Sequence, residues 1–99
     1  MQEHALPHRV VVFVCVNRRA EGERVCCAAR GGQEIRDNLK AMVKARGLQA
    51  RVRVCQSGCM DRCEQGPNVM ILPENSWLSG VAEADLPAIL DRLAAASDV

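Results

Sequence analysis

Six cysteines stand at positions 15, 26, 27, 55, 59 and 63 of a 99-residue chain. Thiolates act as nucleophiles, exchange as disulfides or bind soft metals, and their surroundings and spacing separate these uses. A lone thiol nucleophile at neutral pH needs an activating histidine. Only His4 and His8 are present, both ahead of the first apolar run. Dithiol exchange typically uses Cys-x-x-Cys, a spacing no pair here shows. The cysteine share falls below the roughly 8 to 10 % of short disulfide-stapled scaffolds, which points toward metal or redox chemistry in reduced thiols. Counting from Cys15, eleven residues precede Cys27, thirty-one more precede Cys59, and three separate Cys59 from Cys63. Four sulfurs arranged tetrahedrally suit zinc or an iron-sulfur centre. Structural zinc sites usually show tight pairs at both ends, which the long first gap fits poorly. Spacing alone does not choose between Cys26 and Cys27.

The elements that would carry these thiols can be read from periodicity. Residues 9–14, Arg-Val-Val-Val-Phe-Val, form a β-branched run suited to a strand buried on both faces, ending at Cys15. Residues 16–32 lack apolar periodicity and predict a long loop carrying Cys26 and Cys27. Ile35, Leu39, Met42 and Val43 then recur on one helical face, and Gly47 is placed to stop the helix. Residues 49–55 alternate, with Val52 and Val54 against Arg51 and Arg53, as in a half-exposed, possible edge strand. Residues 56–67 form a turn framed by Gly58, Gly66 and Pro67 around Cys59 and Cys63. A strand over 69–72, a turn over 73–76 and a short strand over 77–81 follow. Leu86, Ile89, Leu90 and Leu93 predict a closing helix with Pro87 in its first turn. The order β-α-β-β-β-α, with a right-handed crossover and then a hairpin, is an α/β fold of abbreviated thioredoxin-like plan. It has a mixed sheet, with both cysteine-bearing loops at the carboxyl ends of its parallel strands. No repeat, linker or low-complexity tract divides residues 1–99, so one domain is expected.

Cys15, the Cys-Ala-Ala-Arg-Gly stretch from Cys27, and Gly-Cys-x3-Cys-x2-Gly-Pro across Gly58, Cys59, Cys63, Gly66 and Pro67 together resemble the thioredoxin-like 2Fe-2S ferredoxins. The resemblance covers nearly the whole chain, including the Trp77 hairpin. It implies one 2Fe-2S cluster per chain, with Cys15 and Cys27 on one iron and Cys59 and Cys63 on the other. The family motif favours Cys27 over its neighbour Cys26, and leaves Cys55 outside the ligand set as a small, partly buried thiol. The pattern differs from the plant-type and bacterial ferredoxin spacings, and no Cys-His pairs suggest a Rieske centre. The implied activity is one-electron transfer between redox proteins, a reductase and an acceptor, without substrate chemistry of its own. The alternatives are a cluster-bearing subunit of a larger oxidoreductase and a zinc-stabilised binding module. Four thiolate ligands in exposed loops imply a reduction potential of about a few hundred millivolts negative.

Composition sets the remaining bounds. Lys and Arg number 13 against 12 Asp and Glu, for a formal net charge of +1, which gives no global attraction to nucleic acid or an acidic membrane. The longest apolar run, residues 10–16, supplies seven of the about 20 residues a membrane span needs. Glu3, Pro7 and the lack of a small-residue cleavage site predict a cytoplasmic chain rather than a secreted one. Arg18, Arg19, Arg24, Arg30 and Arg62 flank the proposed ligands, interspersed with Glu21, Glu23, Asp61 and Glu64, and suit either charge compensation or a solvated surface. Trp77 is expected to pack in the core. Two helices cover one side of a sheet whose strands are apolar on both, so a homodimer is expected over the other.

Overall fold

The computed structural model describes residues 1–16, 31–58 and 66–98. Strand β1 spans Val10–Cys15, helix α1 Gly32–Ala45, β2 Val52–Ser57, β3 Val69–Leu72, β4 Ser76–Leu78 and α2 Leu86–Ser97, with a short 3-10 turn at Glu83–Asp85. This is the expected order of elements. The four strands form one mixed sheet, β2-β1-β3-β4. β1 and β2 are parallel, with Val10 opposite Val52 and Cys15 opposite Ser57. β3 runs antiparallel to both β1 and β4.

Two parallel neighbours require the chain to travel back along the sheet between them, and α1 makes that return. Its Ile35, Leu39 and Val43 are buried, as the 3.6-residue period requires. Gly47 ends it with φ of 72°, a left-handed conformation that favours glycine. Residues 49–51 are a turn rather than strand: the amides of Arg51 and Val52 both donate to Leu48 O. β2 therefore starts later than its alternating pattern suggests, and it extends to Ser57 because β1 offers a partner that far. It is an edge strand. β4 stops at Leu78, before the expected end, because the Val81 amide turns away and donates to Pro67 O at 3.1 Å. Pro87 lies in the first turn of α2, where its missing N–H costs nothing.

The core is a single cluster of Val10, Val12 and Val14 from β1, Val52 and Val54 from β2, Val69 and Ile71 from β3, and the apolar stripes of both helices. α1 and α2 touch each other and share β1 and β2, so they cover one face. The alternate residues Val11, Phe13 and Met70 are only half-buried, and Leu72 and Trp77 are exposed. The expectation that β1 is buried on both faces is thus corrected within the chain: one face is covered by helices, and the other is open.

Candidate metal centre

Cys15 is the last residue of β1 and is fully buried, a free thiol at the carboxyl end of a central strand. Its backbone is fixed from both sides. The Cys15 amide donates to Asn68 O at 3.1 Å, and the next amide, Val16, donates to Ser57 O at 3.1 Å. Parallel pairing therefore brings the end of β1 and the end of β2 to one end of the sheet. These are the points from which residues 17–30 and 59–65, with Cys26, Cys27, Cys59 and Cys63, depart in the sequence. β3 is antiparallel to β1, so Gly66, Pro67 and Asn68, all buried, re-enter the fold at that same end.

Cys26, Cys27, Cys59 and Cys63 lie outside the described residues, as do Arg18, Arg19, Arg24, Arg30 and Arg62 with their acidic neighbours. Of the four predicted ligands the structure locates Cys15. Among the described residues no three His, Cys, Asp or Glu side chains gather. The donor chemistry present fits a sulfur-ligated centre nonetheless: a buried thiol sits among Val14, Ser57, Pro67 and Asn68, with no charged side chain in those strand ends to favour a hard, oxygen-loving cation. Cys55 faces the open side of the sheet opposite Phe13, half-buried, two positions before the end of β2. That agrees with its reading as a bystander thiol.

Helix α1 begins directly after Gly31, whose φ of 92° makes a side chain there strained. Its first amides supply partial positive charge close to Cys27 in sequence. Trp77 is 42 % exposed rather than buried in the core, and its indole Nε1 donates to Asn68 Oδ1 at 3.0 Å. Asn68 and this contact carry no sequence signature: one asparagine after Gly-Pro reads as turn chemistry, and nine residues separate the partners.

No family model matches the chain. A 2Fe-2S ferredoxin from Clostridium pasteurianum is 31 % identical over 81 residues, covering 81 % of this chain and 79 % of that protein. A 2Fe-2S ferredoxin from Aquifex aeolicus is 30 % identical over 83 residues, covering 82 % and 75 %. The crystal structure of the wild-type thioredoxin-like [2Fe-2S] ferredoxin from Aquifex aeolicus superposes with a TM-score of 0.81 at 29 % identity, over 86 % of this chain and 84 % of that one. A chain of an NAD+-reducing [NiFe]-hydrogenase shares the fold, with a TM-score of 0.67 at 16 % identity, over 92 % of this chain and 15 % of that one.

Proposed function

Because the chain belongs to the thioredoxin-like [2Fe-2S] ferredoxin family, we propose that it is a one-electron carrier, with one 2Fe-2S cluster held by Cys15, Cys27, Cys59 and Cys63. The observation that carries this reading is the parallel pairing of β1 and β2, which brings a buried cysteine and the departure points of both other cysteine-bearing segments to one end of the sheet. The cluster would supply a single-electron redox couple. The protein's part is to hold the four thiolates, to direct backbone N–H groups and the start of α1 toward their negative charge, and to limit water. Adding one electron adds one negative charge at the sulfurs, so these dipoles set the potential.

No residue is assigned to substrate chemistry in this reading: the chain passes electrons between a reductase and an acceptor protein, as one domain, in the cytoplasm. Among the described residues no helix is long and apolar enough to cross a membrane. Its quaternary state is a homodimer through the open face of the sheet, where Phe13, Met70, Leu72 and Trp77 line a shallow apolar depression of about 160 Å³.

The test is the iron, zinc and acid-labile sulfide content of anaerobically purified protein, with its visible spectrum before and after dithionite. Two irons and two sulfides per chain, and colour that bleaches on reduction, are expected. Stoichiometric zinc without sulfide would leave a structural site and remove the electron-transfer function.

A further inference from the structure

Among the described residues only two buried side chains are polar, and Asn68 is one of them, 1 % exposed. Leaving a buried polar group unsatisfied costs about 1 to 3 kcal/mol, so its partners carry information. Its backbone oxygen accepts the Cys15 amide, and its Oδ1 accepts the Trp77 indole N–H. An indole nitrogen only donates, so the atom it meets is the amide oxygen, which settles how the carboxamide is turned. Trp77 belongs to β4 on one flank of β3, and β1 lies on the other. A planar carboxamide whose oxygen is held on the β4 side carries its NH2 on the β1 side. Val14 faces Val69 in the β1–β3 register, and continuing it by one position places Cys15 directly across from Asn68. Strand alternation puts both on the face away from the helices.

We propose that Asn68 donates a hydrogen bond to the sulfurs gathered at Cys15, and that Trp77 is a positioning residue that holds the amide in its donating orientation. This rests on the carrier reading above. N–H dipoles aimed at sulfur favour the reduced, more negative state, so the pair raises the midpoint potential.

The experiment is a spectroelectrochemical titration of the full cluster-loaded chain, with iron and sulfide counted first, for wild type, W77F, N68L, N68D and the W77F/N68L double variant. The expected result is a full cluster in every protein and a lower midpoint in N68L and N68D. W77F shifts it less in the same direction and adds nothing in the N68L background. An unchanged midpoint in N68D or W77F, or a W77F shift that persists undiminished beside N68L, overturns the proposal while leaving the carrier function standing. Should N68L fail to fold, N68D, which keeps an acceptor for the indole, and W77F, at a partly exposed position, decide alone. Wild-type protein without iron and sulfide overturns both.

Discussion

Cys15 has its own amide and the next one tied to neighbouring strands, so the sheet sets where its sulfur lies. A ligand anchored this way needs little reorganisation when it binds metal. Cys26 and Cys27 present the opposite case, two adjacent thiols of which one is a ligand, and substitution separates them. Cys27→Ser is expected to abolish the normal cluster spectrum and iron content, and Cys26→Ser to leave both intact; the reverse outcome reassigns the ligand. Cys55→Ser should keep a full cluster and change stability by under about 1 kcal/mol, because a half-buried thiol on the open face gives up little packing. At this scale the thiols were legible from residue type and spacing alone. Asn68 was not, because its importance comes from what it touches: an amide across the ladder and an indole on the next strand.

Strands and helices were legible wherever a period ran long enough. The stripe of Ile35, Leu39 and Val43 and the β-branched run of β1 place α1 and the central strand directly. Ends were less legible, since β2 and β4 begin or stop where a hydrogen-bond partner begins or stops. Joining α2 to the β3–β4 turn is a further contact without local signal: Arg92 Nη2 meets Glu74 Oε2 at 2.9 Å and Ser76 Oγ at 2.9 Å. The Arg92 guanidinium's hydrogen bonds, seconded by the Ser76 hydroxyl, hold the Glu74 carboxyl below its ordinary value of 4.5. Folded Glu74 thus binds protons less readily than unfolded Glu74, so its contribution is complete above that value and is lost as pH falls through the lowered one. Both side chains are partly exposed, which screens the pair. R92Q is expected to cost under about 1 kcal/mol at neutral pH. The gap to wild type should close as pH drops below 4.5, as followed by denaturant midpoints across a pH series. A gap constant through the acid range contradicts this account.

For the whole molecule the two faces of the sheet are unequal. Helices bury Val10, Val12 and Val14, whereas Phe13 and Met70 stay half-exposed beside Leu72 and Trp77 at 41 % and 42 % exposure. A second copy is the proposed cover. Wild type is expected to run as a dimer at micromolar concentration in gel filtration with light scattering. M70K, which sets a charge between Phe13 and Trp77 in the register, should run as a monomer with its cluster retained. A monodisperse wild-type monomer would remove the dimer.

Element order and the thiol set were determined by the sequence itself, because periodicity and covalent spacing are properties of short windows of chain. Tertiary structure decided the rest. Strand order β2-β1-β3-β4, the parallel register that joins Cys15 to the end of β2, the helices on a single face and the Trp77–Asn68 contact all depend on pairing between distant segments. Such pairing is selected by shared burial and by the handedness of the crossover, and neither is written in any one stretch of residues.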